Sequence, residues 1–441
     1  MIGGGLILSA PASGAGKTLI TAGLTRHLCR RGFRVATAKA GPDFIDPTFH
    51  AAATGRPSLN LDVWGMRPAT LTGLVAELED RTDIVLCEGV MGLFDGTGAE
   101  GEAGSTAELA RLTGWPIVLI VDTRGQGASV AALVRGFATH QARLPLVGVI
   151  FNRVASDRHH SLLAGAVARH APSVVCLGTL PSDPAFALRS RHLGLVPAGE
   201  VEMADSVIDR CASQIGAGIH VDRVLGLARR SVLRATGAAA PLPVLGWRIA
   251  VARDEAFCFA YPAVLQGWRR QGAELTFFSP LADEAPDGAA DAVYLPGGYP
   301  ELWADRLASA EKFGAGLRKA AADGKTIYGE CGGYMVLGRA LIDGEGVRHQ
   351  MAGLLPLVAS FAQPRPYLGY RCVSFCEDGP FGPSGSRFRG HEFHYAAVVE
   401  EDTEVPLLSA RDAAGTDLGT CGSRRGSVSG SFIHLIDRCD E

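Results

Sequence analysis

The chain has 441 residues, of which 47% are hydrophobic and 20% are charged, and its formal net charge at pH 7 is -4. This composition is that of a globular chain long enough for two domains, so it excludes an intrinsically disordered protein and any general attraction to nucleic acid or anionic membranes. No apolar segment approaches the roughly 20 residues of a membrane-spanning helix and no signal peptide is evident, so we expect a cytoplasmic protein with reduced cysteines.

The first half of the chain alternates apolar segments with helical ones. Helical spacing begins at Lys17, after the first apolar segment, and stops at Gly32. Six segments are predicted as strands: residues 5–10, 34–41, 83–92, 115–123, 144–154 and 173–181. Because continuous apolar strands separated by helices are typical of parallel sheets, we predict an α/β domain over residues 1–234, with helices on both faces of the sheet.

Residues 235–246 interrupt this alternation with small residues and prolines, which is typical of a linker. A second α/β domain is predicted over residues 247–441. Its first four strands alternate with helices, and its later strands are expected to be more antiparallel. The predicted strands cover residues 247–254, 274–280, 292–298, 325–333, 350–361, 370–375 and 391–401.

The segment SAPASGAGKT at residues 9–18 resembles a phosphate-binding loop, although Pro11 stands where the usual pattern has its first glycine. The loop follows a strand and opens a helix, so its backbone N–H groups can face phosphate oxygens. Lys17 can reach the outer phosphates and the Thr18 hydroxyl can bind Mg²⁺. The ATP-binding residues predicted in the loop are Ser13, Gly14, Gly16, Lys17 and Thr18. The alternative is a plain glycine-rich turn.

Acidic residues follow two of the predicted strands. Asp43 comes after the second strand and Glu88 ends the third, so both belong to the edge where ligands of parallel sheets bind. Together with Thr18 they are the predicted Mg²⁺ ligands. Asp46 and Asp95 are neighbouring candidates. Any one of these acids could instead cap a helix or stabilise a turn.

Two other polar residues belong to the same edge of the predicted sheet. Lys39 would add positive charge near the phosphates, and its alternative is a solvated lysine. Asn152 ends the fifth predicted strand and is a candidate for binding a purine edge. An Asn that caps the next helix is equally compatible with the sequence.

In the second domain, Gly329–Gly333 has the form G-x-C-x-G, the cysteine counterpart of a nucleophile elbow. The flanking glycines permit the sharp turn that exposes Cys331, and a helix N-terminus there favours its thiolate. The alternative is a structural cysteine in a glycine-rich turn. His434, about 100 residues downstream, is the predicted base, because a thiol nucleophile needs one.

His391 and His394 are rival bases in the segment RGHEFHY. Their H-E-x-x-H spacing falls in a strand-like stretch rather than on the helix of a zinc protease. A metal site is the minor alternative, and we expect one core and one surface histidine.

The turn at LPGG, residues 295–298, ends another strand in two glycines. Backbone N–H groups in such a turn can stabilise an oxyanion. We predict that Gly298 supplies one donor and Gly332 the other. A simple tight turn is the alternative, and both interpretations can hold together.

The elbow, the LPGG turn and the downstream histidine together resemble a class I glutamine amidotransferase domain. Joined to a P-loop domain similar to dethiobiotin synthetase, the whole chain resembles the cobyrinic acid a,c-diamide synthase family, including its hydrogenobyrinic acid branch. The motifs that carry this resemblance stand in the family's order: SAPASGAGKT, KAGPDFIDPTFH, NLDVWG, CEGVMGLFDG, SRHLGLVPAGE, LPGGYPEL, GECGGYMVLG and RGHEFHY.

The resemblance implies a role for each matching residue. Cys331 corresponds to the glutaminase nucleophile and His434 to its base. Asp43, Glu88 and Asp95 match acidic positions of the synthetase site. The residues assigned to the anionic corrin precursor are Asp46, Asp95, Arg191 and His192. One departure stands out: class I domains often carry Glu two residues after the histidine, and this chain has Ile436 there, so we predict a Cys–His dyad with its third member unidentified.

The family's activity would be an ATP- and glutamine-dependent amidation of carboxylates a and c in cobalamin biosynthesis, with Mg²⁺ as cofactor. ATP would phosphorylate each carboxylate, and ammonia released at Cys331 would displace phosphate. Its partners would be small molecules, with no nucleic acid or membrane, and a homodimer is left open. Cobyric acid synthase and nickel-sirohydrochlorin a,c-diamide synthase are alternatives in the same class. A P-loop regulatory ATPase with an inactive second domain is the alternative in a different class.

Overall fold

The computed structural model describes residues 3–80, 82–98, 100–186, 190–191, 194–200, 203–234, 240–401 and 405–439, with the backbone alone for 190–191 and 194–195. The chain divides into two compact units. The first comprises Met1–Trp64 and Pro68–Ala238, and the second comprises Gly65–Arg67 and Ala239–Glu441. Residues 235–239 of the predicted linker lie outside the described residues.

The first unit contains strands β1 to β9 and helices α1 to α8. The strands are β1 (Gly4–Ser9), β2 (Val35–Ala40), β3 (Leu59–Leu61), β4 (Ile84–Glu88), β5 (Ile117–Asp122), β6 (Leu146–Val154), β7 (Val175–Pro181), β8 (Ser190–Arg191) and β9 (Gly194–Leu195). The helices are α1 (Lys17–Arg30), α2 (Asp46–Thr54), α3 (Pro68–Glu79), α4 (Thr106–Thr113), α5 (Val130–Thr139), α6 (Asp157–His170), α7 (Ala204–Gly218) and α8 (Val221–Leu227).

Seven strands of this unit form one sheet in the order β3-β2-β4-β1-β5-β6-β7. All the pairs between these strands are parallel. The predicted parallel α/β sheet is therefore confirmed. The six strands expected from the sequence are present, and β3 is a seventh. With only three residues, β3 is too short to give a recognisable apolar pattern.

The strand register brings polar residues to one edge of this sheet. Lys39 in β2 pairs with Glu88 at the end of β4, and Leu8 in β1 pairs with Glu88 from the other side. Asp122 at the end of β5 pairs with Asn152 in β6. Since the strands are parallel, their carboxyl ends and the loops that follow them all meet at this edge.

The second unit contains strands β10 to β23 and helices α9 to α12. The strands are β10 (Arg248–Ala252), β11 (Glu274–Phe278), β12 (Ala292–Leu295), β13 (Thr326–Glu330), β14 (Ala340–Ile342), β15 (Arg348–Gln350), β16 (Leu357–Ser360), β17 (Tyr367–Phe375), β18 (Arg387–His394), β19 (Ala397–Glu401), β20 (Pro406–Asp412), β21 (Asp417–Arg425), β22 (Val428–Ser431) and β23 (Ile433–Arg438). The helices are α9 (Pro262–Arg270), α10 (Ala304–Ala308), α11 (Glu311–Ala322) and α12 (Gly332–Leu337). In the described ranges, no helix combines the length and the hydropathy needed to cross a membrane.

Ten strands of the second unit form a sheet in the order β11-β10-β12-β13-β22-β21-β20-β17-β18-β23. The pairs from β11 to β22 are parallel, whereas those from β22 to β23 are antiparallel. Only Phe432 separates β22 from β23 along the chain, yet these strands stand fifth and tenth in the sheet. The sheet must therefore curl, so that its tenth strand returns to the end of its fifth.

A buried ion pair stabilises the second unit. The Arg67 guanidinium donates from Nε to Asp437 Oδ1 at 3.0 Å, and the Arg67 backbone N–H donates to Oδ2 at 2.9 Å. The guanidinium also donates to the Ala240 carbonyl at 2.9 Å. Asp437 is fully buried, so the Arg67 guanidinium and backbone N–H replace part of the hydration that its carboxylate loses.

Replacing Asp437 with Ala should therefore lower the free energy of unfolding of the second unit by about 3–5 kcal/mol, because the Arg67 charge stays buried without its carboxylate. Chemical denaturation of the full chain, followed through the transition of this unit, measures the loss. The matched control is Glu274→Ala, which removes the carboxylate of an exposed pair with Arg248 and should change stability by less than about 1 kcal/mol. Equal effects of the two substitutions would contradict the prediction.

Candidate functional sites

In the first unit, the loop between β1 and α1 has the geometry of a phosphate-binding turn. Gly14 and Gly16 have φ of 79° and 96°, in the left-handed region that glycine favours. Asn152 Nδ2 donates to the Ala15 carbonyl at 2.9 Å, and a β-carbon on Gly16 would lie 2.5 Å from this nitrogen. Asn152 therefore packs directly against the loop, while its role toward a purine stays a prediction.

The loop lysine is buried and bound to backbone carbonyls. Lys17 Nζ donates to the Met91 carbonyl at 2.6 Å and to the Ala12 carbonyl at 3.4 Å. Burial lowers the pKa of Lys17, and the nearby Glu88 carboxylate opposes that shift. To bind a phosphate, the Lys17 ammonium must give up its hydrogen bond to the Met91 carbonyl. Phosphate oxygens can replace that carbonyl because they also accept hydrogen bonds.

Glu88 has three polar side-chain partners at this edge and is fully buried. Its Oε1 accepts from the Thr18 hydroxyl at 3.0 Å and lies 3.2 Å from Lys39 Nζ. Its Oε2 lies 2.7 Å from His50 Nε2. Burial acts to raise the pKa of Glu88, but Lys39 and His50 outweigh it and hold the pKa well below its usual range. The carboxylate is therefore charged at neutral pH.

Lys39 is the centre of a buried charge network rather than a solvated lysine. Its ammonium forms ion pairs with Asp46 and, at 3.6 Å, with Asp43, in addition to Glu88. Burial alone would lower the pKa of Lys39, but these carboxylates raise it above its ordinary value. Burial and the neighbouring carboxylates raise the pKa of Asp46. One lysine thus neutralises part of an acidic cluster below the P-loop.

The other predicted acids also have structural partners. Asp43 Oδ1 accepts from the backbone N–H groups of Ile45 and Asp46 at the start of α2, at 2.8 and 3.0 Å. Asp95 Oδ2 accepts from the Gly92 N–H at 2.8 Å, in the loop that also carries Met91. Asp43 and Asp95 therefore stabilise the loops around the charge network through these hydrogen bonds.

Among the predicted metal ligands, the structure brings Thr18 and Glu88 into contact, and Asp43 faces Lys39. Over the part of the chain that is described, no three His, Cys, Asp or Glu side chains are grouped so as to hold a metal ion. A hydroxyl beside an ionised carboxylate at a P-loop is nevertheless the oxygen donor set that Mg²⁺ uses together with phosphate and water. The Thr18–Glu88 pair fits Mg²⁺ in this way.

A cleft of about 750 Å³ opens beside the P-loop in the first unit. Its walls are residues 11–15 of the loop on one side and residues around the end of β5 on the other, including Asp122, Arg124 and Gln126. This volume is in the range of small-molecule sites, so the cleft provides room for a nucleotide or an acidic substrate. Arg191 lies in β8 with its side chain undescribed, and His192 lies outside the described residues.

Sequence reasoning missed two buried residues of this site. His50 contacts Glu88, and Asn60 Nδ2 donates to the carbonyls of Gly41 and Asp43 at 2.9 and 2.7 Å. Both residues belong to the segments that carry the family resemblance, KAGPDFIDPTFH and NLDVWG. These two motifs were the sequence signal that could have drawn attention to His50 and Asn60. Without the fold, however, a histidine or an asparagine at these positions does not reveal which residue it contacts.

In the second unit, Cys331 occupies a strained turn between β13 and α12. Its backbone has φ 48° and ψ -105°, which a residue with a β-carbon rarely adopts. The turn is held because the Cys331 N–H donates to the Ser431 carbonyl of β22 at 2.8 Å, and its carbonyl accepts from the Met335 N–H at 3.0 Å. These contacts define a nucleophile elbow at the carboxyl end of a parallel strand.

Cys331 and His434 both border the space that a side chain at Gly297 would occupy. A β-carbon placed on Gly297 would lie 3.3 Å from Cys331 Cβ, 2.5 Å from His434 Cε1 and 3.3 Å from His434 Nε2. His434 is in β23, which the curl of the sheet returns to the end of β22, beside the elbow. The absence of a side chain at Gly297 therefore leaves the space in which a thiol and an imidazole can exchange a proton.

The rival histidines are both buried, so the expectation of one surface histidine is wrong. His391 pairs in register with His434, stacks on it with 5.0 Å between ring centroids, and bonds through Nδ1 to the Tyr261 hydroxyl at 3.0 Å. His394 bonds through Nε2 to Glu392 Oε1 at 2.9 Å. The sequence pattern predicted a strand at these residues, but it could not show that both faces of this strand are buried once the sheet curls.

Burial keeps both members of the pair neutral. It raises the pKa of the Cys331 thiol, as do the Glu301 and Glu392 carboxylates, and it lowers the pKa of His434, which also faces His391 and His394. The Gly332 N–H at the start of α12 lowers the pKa of Cys331, in the expected direction, but desolvation outweighs this effect. The thiol must lose its proton to His434 as it attacks.

The two glycines predicted as oxyanion donors lie next to each other. A β-carbon on Gly332 would lie 3.1 Å from the Gly298 nitrogen and 2.9 Å from Pro300 Cδ. Because Gly332 follows Cys331 directly, its N–H and that of Gly298 belong to the same small region beside the thiol. This proximity is what two donors to one oxyanion require, and their role stays a prediction.

Replacing Gly297 with Ala would fill the gap between thiol and imidazole. Because the new β-carbon would displace the His434 ring, we expect glutamine hydrolysis by this unit, the activity that the resemblance implies, to fall by at least roughly 100-fold. A coupled glutamate assay measures the rate. Gly288→Ala is the matched control, since a β-carbon there meets nothing within 4 Å, and it should retain full activity. Full activity in the Gly297 variant would contradict the geometry.

Comparison with known proteins assigns a domain family to each unit. Residues 6–195 match the CobQ/CobB/MinD/ParA nucleotide binding domain, and residues 248–440 match the CobB/CobQ-like glutamine amidotransferase domain. The hydrogenobyrinate a,c-diamide synthase of Rhizobium meliloti (strain 1021) is 51% identical over 98% of this chain and 99% of its own length. The protein of the same name from Brucella suis biovar 1 (strain 1330) is 50% identical over 98% of each chain.

The protein named hydrogenobyrinate a,c-diamide synthase from Mesorhizobium japonicum is 48% identical, again over 98% of each chain. The resemblance inferred from the motifs is thus confirmed along nearly the whole sequence. Identity of about 50% over 98% of its length places this chain, with its P-loop unit followed by a Cys–His unit, in the hydrogenobyrinate a,c-diamide synthase family.

Proposed function

We propose that this protein is a glutamine-hydrolysing ligase that converts the a and c carboxylates of hydrogenobyrinic acid, or of the related cobyrinic acid, to amides at the expense of ATP. This reaction belongs to cobalamin biosynthesis. The observation that carries the proposal is about 50% identity over 98% of the chain to proteins named hydrogenobyrinate a,c-diamide synthase. The geometry of each unit supports one half of the reaction.

The second unit releases ammonia. Cys331 attacks the side-chain amide carbon of glutamine while its thiol proton passes to His434, and the N–H groups of Gly298 and Gly332 stabilise the oxyanion. His434 then gives the proton to the amide nitrogen, which departs as ammonia. The remaining acyl group is bound to Cys331 as a thioester. Water hydrolyses the thioester to glutamate and regenerates the thiol. Because thiol and imidazole are both neutral before substrate binds, proton transfer and attack occur together.

The first unit activates the carboxylate, because a carboxylate oxygen leaves too poorly for direct attack by ammonia. The loop N–H groups and Lys17 bind the ATP phosphates while a substrate carboxylate oxygen attacks the terminal phosphorus. The bond from this phosphorus to the β,γ-bridging oxygen breaks, and ADP leaves. Ammonia then attacks the carbonyl carbon of the acyl phosphate, and inorganic phosphate leaves. Asp46, Asp95, Arg191 and His192 are the residues we assign to the substrate.

Thr18 and Glu88 are the residues that would hold Mg²⁺, with Asp43 close by. When bound there, Mg²⁺ supplies positive charge to the phosphate oxygens during transfer. Lys39 and His50 hold the Glu88 carboxylate ionised and in place, so the ligand is preformed before nucleotide arrives. A cytoplasmic location is part of the same proposal.

The alternatives are less well supported. The names of the full-length relatives favour the hydrogenobyrinate substrate over nickel-sirohydrochlorin and over the substrate of cobyric acid synthase. A regulatory ATPase with an inactive second unit would need neither the strained elbow at Cys331 nor the open space at Gly297.

The proposal predicts that a variant in each unit responds differently to the nitrogen source. Cys331→Ser should lose glutamine-dependent amide formation by at least roughly 1000-fold, because the hydroxyl is a much weaker nucleophile, while ammonium salts still support amide formation. Lys17→Ala should lose amide formation with either nitrogen source by at least roughly 100-fold. Product mass and glutamate release measure both. Glutamine-dependent product from Cys331→Ser at the wild-type rate would contradict the proposal.

A substrate comparison tests the choice of corrin. With ATP, Mg²⁺ and glutamine, hydrogenobyrinic acid should gain two amide groups at a higher kcat/KM than cobyrinic acid or nickel-sirohydrochlorin. Mass spectrometry counts the amides formed. Preference for a metal-containing substrate would refute the metal-free assignment while leaving the ligase chemistry intact.

A further inference from the structure

Many class I domains carry a Glu two residues after the catalytic histidine, where it orients the imidazole, but the residue at that position in this chain cannot do so. The position is occupied by Ile436, two residues after His434, and the Ile436 side chain is buried at 2% exposure. An apolar side chain cannot accept a proton from the imidazole. Any carboxylate that orients His434 therefore comes from a different position.

Glu330 is placed to supply it. It ends β13, directly before Cys331, and is only 3% exposed. Its Oε2 lies 3.8 Å from His434 Nδ1. The Cε1 and Nε2 atoms of the same imidazole face the space beside Gly297 and the Cys331 side chain. The ring therefore stands between the carboxyl of Glu330 and the space beside the thiol.

The Glu330 carboxyl is itself held in place from two strands. The Tyr294 hydroxyl of β12 donates to Oε2 at 2.7 Å. The Leu435 backbone N–H donates to Oε1 at 3.2 Å, and Leu435 is the neighbour of His434 in β23. The carboxyl thus links the strand that carries the nucleophile to the strand that carries the base, and its position is fixed relative to both.

We propose that Glu330 is the positioning residue that orients His434 and completes the Cys–His pair from the nucleophile's own strand. This inference rests on the proposed glutaminase function. An ionised Glu330 accepts from His434 Nδ1–H, which fixes the tautomer whose Nε2 takes the thiol proton. It also stabilises the imidazolium that forms when the thiol proton moves to Nε2 and the electron pair of the S–H bond forms the new S–C bond. Shortening the 3.8 Å separation to a hydrogen bond needs a movement of less than about 1 Å.

The chemistry of the pocket gives this role a pH signature. Burial raises the pKa of Glu330 to about 7, against the lowering effect of the hydrogen bonds from Tyr294 and Leu435. The titratable groups that face it are Tyr294, Tyr328, His434 and Cys331, and the pKa of the Cys331 thiol is raised by burial. The pKa of each tyrosine is raised further by burial and that of His434 is lowered, so none of them titrates near neutrality. Glutaminase activity should therefore rise with pH as Glu330 ionises around pH 7.

The test is Glu330→Gln in the full chain, which keeps the shape and removes the charge. We expect kcat for glutamine hydrolysis to fall roughly 10- to 100-fold, KM to change less than twofold, and the rise in activity around pH 7 to disappear. Amide formation from ammonium salts should stay at the wild-type rate. The matched control is Glu401→Gln, a carboxylate that also accepts from a tyrosine hydroxyl, that of Tyr334, and it should leave the pH profile unchanged.

A second variant keeps the proposal testable if Glu330→Gln does not fold. Tyr294→Phe removes one hydrogen bond that lowers the pKa of Glu330, so the rise in activity should move to higher pH while its plateau is retained. An unchanged profile in either variant overturns the role of Glu330. Parallel loss of ammonia-dependent activity in Glu330→Gln would show a merely structural role and overturns it too. A wild-type protein that hydrolyses no glutamine would instead refute the proposed function.

Discussion

The single residue between β22 and β23 is the constraint on which the glutaminase site depends. Because Phe432 alone joins the fifth strand of the sheet to the tenth, the sheet cannot lie open. Its curl brings His434 to the elbow at Cys331, and it buries the two histidines of β18 behind the base. The nucleophile and the base are thus neighbours because of strand connectivity, although about 100 residues separate them in sequence.

The two units solve the problem of buried charge in opposite ways. In the first unit, Lys39 and Glu88 remain ionised because several opposite charges surround each of them, so a charged site stands ready for phosphate. In the second unit, desolvation keeps Cys331 and His434 uncharged until substrate arrives. The difference suits the chemistry, because phosphoryl transfer needs fixed charge whereas thiol attack needs a proton that can move.

Local pattern was sufficient for residues whose role depends on their neighbours in sequence. The P-loop, the elbow around Cys331, six strands of the first sheet and the strands β10 to β13 follow from glycine spacing and apolar runs. The three-residue β3 and the later strands β14 and β20 to β23 were not predicted. Residues whose role depends on the fold were missed or misjudged. The burial of both His391 and His394, the contact of His50 with Glu88, and the place of Glu330 beside His434 all arise from strand order and register, which the sequence pattern does not specify.

The central claim is that a carboxylate is activated by phosphoryl transfer and then takes nitrogen from glutamine within one chain. The most direct measurement supplies corrin substrate with ¹⁸O in its carboxylates, together with ATP and glutamine labelled with ¹⁵N in the amide. Mass spectrometry should find ¹⁵N in each new amide and one ¹⁸O in each inorganic phosphate released. Phosphate free of ¹⁸O, in the presence of amide product, would contradict the account.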